Sequence, residues 1–290
     1  MKFDTKTVLT LLFLGFVWGS AFILMKQGLK SFNYWQVASL RLVFAGSVAV
    51  FFFVKFFKTI ERKDWIFLAL AGTLGNLIPA YLFASANTEM PSSYSGALNA
   101  LTPFFALISG VILFSQLFKV KQFLGIAIGL VGALSLIFTR NKGGVAFQHD
   151  FIVPCLKVTL AAMFYGINVN IIKSKLGHLS PIVNSMIPLT IIAVPALIIG
   201  LATGTVDAVS NPSALKSLGF IFILGVLGSA ITLILFNELI KNTSALFASS
   251  VTYLIPVFAF MWGIIDGEPI GVFQMGGMAL ILGGITLTKK

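Results

Sequence analysis

Apolar runs of about 20 residues follow one another along nearly the whole chain, separated by short polar clusters. Ten runs can be delimited, at roughly 7–28, 33–54, 65–86, 92–114, 119–139, 151–172, 181–201, 217–240, 244–265 and 269–288. Each is long enough to cross the hydrocarbon layer as a helix. None shows the short apolar/polar alternation of a membrane barrel strand. A helix closes its own backbone hydrogen bonds and so tolerates a lipid surround. The pattern therefore predicts an all-α, polytopic membrane protein of ten transmembrane helices. The longest breaks, from Arg140 to Asp150 and from Ala202 to Lys216, are too short for an extramembrane domain.

Composition agrees. Apolar residues make up 58% and charged residues 10%, against about 25% charged in a soluble domain. Too little charge is present to solvate a soluble surface of this size. The net charge of +11 does not indicate nucleic acid, because the Lys and Arg are spread between the apolar runs. Their distribution is a topology signal. With the N-terminus inside, the inner loops carry Lys2, Lys6, Lys55, Lys58, Arg62, Lys63, Lys119, Lys121, Lys173, Lys175, Lys241, Lys289 and Lys290. The outer loops carry only Lys26, Lys30, Arg140, Lys142 and Lys216. Both termini are expected in the cytoplasm, in a multi-pass cell (inner or plasma) membrane protein. The single cysteine, Cys155, excludes an intrachain disulfide. The first run is longer than the apolar core of a cleavable signal.

Two stretches of the chain are alike. Ser92 to Gln116 contains Pro103 and is followed by Gly125, Gly129 and Gly132. Ala245 to Glu268 contains Pro256 and is followed by Gly277, Gly283 and Gly284. Upstream, Trp18-Gly19 corresponds more faintly to Tyr165-Gly166. This predicts two five-helix repeats, 1–140 and 150–290, forming one membrane domain. An odd number of spans per repeat inverts the second relative to the first, the architecture of many secondary transporters.

These residues resemble the EamA-type branch of the drug/metabolite transporter superfamily over almost the whole length. The resemblance rests on Trp18-Gly19-Ser20-Ala21-Phe22, on Arg41 with Leu42 and Phe44, and on the Pro103 and Pro256 segments, each leading to a turn and a Gly-rich span. The turn after the second segment reads Gly267-Glu268-Pro269, whereas the first reads Ser115-Gln116 and lacks the carboxylate. The resemblance implies ten spans in paired inverted repeats and the export or exchange of small metabolites.

The candidate site residues are polar or aromatic groups at central depths, where lipid contact would favour aliphatic side chains. In the fourth span Ser92, Ser95, Asn99, Thr102, Ala106 and Ser109 recur at helical spacing and are expected on one face. The corresponding stripe of the ninth span pairs Thr252 with Asn99. Such small faces serve close packing, and Asn99 either lines a cavity or makes an interhelical hydrogen bond. Trp18, Phe22 and Met25 share a face of the first span. Asn76, Pro79 and Phe83 lie near one face of the third, with Tyr81 on another. Tyr165 and Asn168 stand a turn apart on the sixth. The expected substrate contacts are Trp18, Asn76, Asn99, Tyr165, Asn168, Thr252 and Tyr253. This wall suits a neutral, zwitterionic or aromatic, amino-acid-like metabolite.

Arg41 is the one strongly charged residue well inside a span, roughly 12 Å deep at 1.5 Å per residue. It is expected to be a gate or anion contact, or else to snorkel outward or bind helix-end carbonyls. Lys157 is expected as an outer interfacial anchor, and Glu238 is the best candidate for proton coupling. The paired glycines of the fifth and tenth spans are expected to pack within the fold, in a monomer or weak homodimer.

No enzyme constellation is visible. His149 and His178 fall on opposite expected sides of the membrane, and no paired acids, metal set or cofactor motif stands out within the spans. The partners implied are a small-molecule metabolite and membrane lipid, with no nucleic acid. A lipid-linked flippase, a channel or a non-transporting membrane subunit is the alternative to a carrier.

Overall fold

The computed structural model describes residues 5–117, 120–138 and 152–267, together with 276, 277, 279, 280, 283, 284 and 287. The described residues are helical, with no strand among them. Eight helices are long and apolar enough to cross a membrane: α1 (Thr5–Gly28), α2 (Tyr34–Thr59), α3 (Asp64–Ala86), α4 (Ser92–Phe114), α6 (Ile152–Lys175), α7 (Pro181–Ala202), α8 (Pro212–Asn242) and α9 (Ala245–Ile265). The fifth helix, α5 (Val120–Phe138), is shorter. The expected tenth span, 269–288, lies mostly outside the described residues, as do Glu268, His149 and the break from Arg140 to Asp150. The break from Ala202 to Lys216 is more ordered than expected. It holds a short helix, Thr205–Ser210, and the 3-10 turn Pro212–Ala214.

Local chemistry sets the helix ends. The Asn33 side chain accepts from the backbone N–H of Gln36, and the Gln36 side chain accepts from that of Asn33, forming a capping box that starts α2. Ser180 and Ser244 cap α7 and α9 through the backbone N–H groups of Val183 and Phe247. Lys173 donates to the carbonyls of Ile240, Lys241 and Thr243 at 2.8, 3.1 and 2.7 Å. It thereby satisfies the carbonyls orphaned at the end of α8.

Four of the described spans are interrupted. α3 contains a π-helical turn at Thr73–Leu77, and α8 contains one at Val226–Ile231. Thr73 stands as far from Val226 in sequence as Pro103 does from Pro256. In α4 the helix breaks between Asn99 and Thr102, which divides the polar stripe expected on one continuous face. Pro103 causes the break: it lacks an N–H for the Asn99 carbonyl and its ring crowds that carbonyl. The Thr102 hydroxyl takes up the Asn99 oxygen at 2.7 Å. α9 is similarly interrupted by a 3-10 stretch, Ser250–Tyr253, ahead of Pro256.

Packing follows a repeated plan. α2 lies along α7; α1 packs on α9 as α6 packs on α4; α1 contacts α8 as α6 contacts α3. Small residues allow close approach. A Cβ on Gly284 would lie 2.5 Å from the Gly125 carbonyl oxygen and 2.7 Å from the Gly129 nitrogen, so these glycines meet within the chain. The outer surface is apolar: Phe51 is 77% exposed and Ile112 72%. In water such a surface would be costly, whereas lipid accommodates it without a hydrophobic penalty.

Ion pairs gather at the helix ends. Lys26 pairs with Asp266, Lys157 with Glu89 at 2.6 Å, Lys6 with Glu238 at 3.0 Å, and His178 meets Asp64 at 3.0 Å. Lys157 also donates to Ser85 at 2.8 Å. It is thus engaged by the C-terminal end of α3 and the turn that follows.

Candidate functional site

A central cavity of about 90 Å³ opens among α1, α2, α3, α4, α6, α8 and α9. It has room for roughly half a dozen waters at 10–15 Å³ each, the scale of a small metabolite.

The two π-helical turns flank it. From α3, Gly75 and Asn76 reach the cavity; from α8, Gly228 and Ser229 do. Because Gly75 has no side chain, the Asn168 amide fits against α3. A Cβ there would lie 2.1 Å from Asn168 Nδ2. A π turn widens the helix and misaligns its carbonyls, and at Gly228 the result is direct. The Gly228 carbonyl accepts from Trp18 Nε1 at 3.1 Å, shared with the Thr232 hydroxyl, also at 3.1 Å.

Aromatic rings form two walls. Phe22, Phe83 and Tyr165 make one, with Phe22–Phe83 centroids 5.5 Å apart at a steep angle and Phe83–Tyr165 centroids 5.9 Å apart and stacked. Trp18 and Phe236 make the other, 4.9 Å apart and edge to face. The spacings are those of favourable aromatic pairs.

The polar groups are few. Asn99 and Thr252 enter from the interrupted α4 and α9. The Thr252 hydroxyl is turned back to the Ser249 carbonyl at 2.8 Å. Asn168 Oδ1 is buried without a hydrogen-bond partner among the described residues. Arg41 reaches the cavity from α2, and its Nε donates to Ser229 Oγ at 3.1 Å. It therefore points into the bundle and does not snorkel out. No Asp or Glu is among the lining residues, and the described residues contain no group of three His, Cys, Asp or Glu that could hold a metal ion.

Six of the seven expected contacts, Trp18, Asn76, Asn99, Tyr165, Asn168 and Thr252, surround this one cavity, and Arg41 joins them. Tyr253 does not. It is fully buried, with its ring against Gly129 of α5. The residue after Thr252 is rotated by about 120° around the 3-10 turn and so leaves the cavity face, and the repeat correspondence that selected Thr252 says nothing about its neighbour. Glu238 is also absent from the lining. It lies near the end of α8, 37% exposed and paired with Lys6. Tyr81 faces α2, where its hydroxyl meets Ser39 at 2.8 Å. Thr102 of the expected polar stripe lines the cavity too, while Ser229, Gly228 and Phe236 line it without having been singled out. Ser229 had one usable signal, a hydroxyl at mid-span in α8, but only the π turn shows which way it points.

The EamA-like transporter family matches twice, over residues 5–138 and 153–289. The chain belongs to this family. It is 24% identical over 281 residues to a probable amino-acid metabolite efflux pump of Salmonella typhimurium, covering 93% of this chain and 90% of that one. It is 26% identical over 281 residues to YedA, an uncharacterized inner membrane transporter of Escherichia coli K12, covering 93% and 86%. A crystal structure of a protein 15% identical to it superposes with a TM-score of 0.70 over 98% of this chain and 96% of that one. That likeness concerns the fold alone. The chain is thus a multi-pass membrane transporter of the EamA family, and inner-membrane relatives accord with the same location here.

Proposed function

We propose that this protein is a secondary carrier that exports or exchanges small amino-acid-like metabolites by alternating access. The cavity carries the proposal. It collects aromatic and amide side chains from both sequence halves at one depth, and it has the size of a metabolite. The two family matches, the corresponding π turns and the repeated helix contacts support two five-helix repeats, 1–140 and 150–290, inverted about this cavity. Carriers of that design rock their halves around a central site. The name of the Salmonella relative supports the substrate class.

The test is transport by purified protein in liposomes. Saturable uptake with counterflow of amino acids is the expected result; unsaturated conductance would make it a channel, and movement of lipid alone a flippase. Asn99→Leu keeps a membrane-compatible helix but removes the amide. A lost neutral hydrogen bond costs about 1 kcal/mol, so the apparent KM should rise roughly five- to tenfold with normal membrane insertion. An unchanged KM would remove Asn99 from the site.

The inverted arrangement also requires an even number of spans. Reporter tags at residues 1 and 290 should both read cytoplasm, and a tag between 140 and 150 should read the outside. Termini on opposite sides would end the inverted-repeat reading.

A further inference from the structure

Arg41 is a partly buried cation inside the bundle, and the cavity it lines supplies no counter-charge. Its Nε is held by Ser229 at 3.1 Å. Among the described residues no carboxylate lies within ion-pair distance of it, and the cavity lining contains no acid at all. Five of the acids described near the membrane ends are engaged elsewhere: Asp266 with Lys26, Glu89 with Lys157, Glu238 with Lys6, Asp64 with His178 and Glu61 with Lys63. A guanidinium has five N–H donors, and one of them is used here. An unpaired charge inside a membrane bundle is costly to maintain and marks a pathway or binding group. Ser229 orients the fork by its Nε edge, which leaves the terminal nitrogens, the pair that grips a carboxylate in bidentate fashion.

What surrounds Arg41 narrows the partner. The walls beyond it are Phe22, Phe83, Tyr165, Trp18 and Phe236. Trp18 has already spent its N–H on α8, so this wall offers mainly ring surface. A small anion such as phosphate would leave that surface unmatched. An elongated acid with a flat apolar group fills both parts.

We propose that Arg41 is the carboxylate-binding residue of the carrier, and that its substrates are small monocarboxylates bearing an apolar or aromatic group, with the carboxylate and not the amine as the recognised pole. This rests on the carrier reading but adds a specificity that the reading does not require.

The experiment uses matched probes on the full-length protein. L-phenylalanine, 3-phenylpropanoate, L-phenylalaninamide and 2-phenylethylamine share one ring and differ in their poles. Each is tested as a competitor of L-phenylalanine counterflow in liposomes, and as a stabiliser of the detergent-solubilised protein in thermal unfolding. Wild-type protein should respond to the two carboxylates, and at least tenfold more weakly to the amide and the amine. A charge-assisted hydrogen bond is worth a factor of about ten to a hundred. Arg41→Gln should erase that preference, and Arg41→Lys should keep part of it. Because the wild-type comparison alone tests the proposal, a variant that fails to fold does not shield it.

Counterflow with equal competition by phenylalaninamide would overturn the Arg41 assignment and leave the carrier reading standing. Carboxylate-dependent stabilisation without flux would do the reverse. Neither flux nor stabilisation with any probe would overturn both.

Discussion

Gly166→Val should prevent accumulation of folded protein. Gly166 lies where α6 crosses the broken helix α4. A Cβ at this position would lie 2.6 Å from the Ala106 nitrogen and 2.7 Å from the Phe105 carbonyl carbon. These are backbone atoms, and no rotamer change moves them. The two helices would have to separate, and with them the Asn170 bonds to Ala106 and Ser109. Overpacking of a tight site costs about 1–3 kcal/mol when side chains can shift; with backbone on the far side the upper end of that range or more is expected. The check is size-exclusion profile and thermal stability in detergent. Gly219 in α8 is the control, because nothing lies within 4 Å of a Cβ built there. Gly219→Ala should behave as wild type or slightly better, since Ala favours helix over Gly by about 1 kcal/mol. Normal stability of Gly166→Val would mean that α4 and α6 do not approach as described.

Asn170→Asp should be nearly as damaging, although it changes the shape very little. Asn170 is fully buried. Its Nδ2 donates to the Ala106 carbonyl at 2.7 Å, the Ser109 hydroxyl at 2.9 Å and the Gly166 carbonyl at 3.3 Å. Its Oδ1 accepts from Gln116 Nε2 at 3.0 Å. Aspartate would set an acceptor against two carbonyl oxygens and bury a charge with no cation among the described partners of this side chain. Leaving a buried charge uncompensated costs about 3–5 kcal/mol, so a drop in Tm and in folded yield is expected. Asn170→Leu, which removes the bonds without adding charge, should cost less, about 1–2 kcal/mol on the scale of interhelical bonds in membranes. If aspartate proved no worse than leucine, the bond directions assigned to the amide would be wrong.

Asn170 also shows what the sequence conceals. It stands two residues from Asn168, and both are amides within the same membrane-spanning helix. A turn of α-helix advances 100° per residue, so the two point to opposite sides: Asn168 to the cavity, Asn170 to α4. Residue type alone marks both as requiring partners. It does not say which finds them in the protein and which is left for a substrate.

The sequence alone determined the class of structure. Runs of about 20 apolar residues with so little charge have one favourable environment, and helices are the backbone solution available there. Nine of the expected spans correspond to described helices, and the repeated proline and glycine segments pointed to Asn99 and Thr252, which the fold brings to one cavity. Depth within a span was legible because it depends only on counting residues. Direction around the helix axis was not, once the helices were interrupted. The π turns at Thr73–Leu77 and Val226–Ile231 each insert a residue into the helical repeat, so a face projected through them is displaced. That is why Ser229 and Gly228 were missed, and the break at Asn99–Thr102 is why a single polar stripe became two contacts with different neighbours. Tyr253 was misplaced for the same kind of reason, in the 3-10 stretch of α9. The partner of Arg41 was beyond the sequence altogether. Its depth announced that a partner was needed, but only the packing of α2 against α8 placed Ser229 at its Nε and left the rest of the guanidinium facing an acid-free cavity.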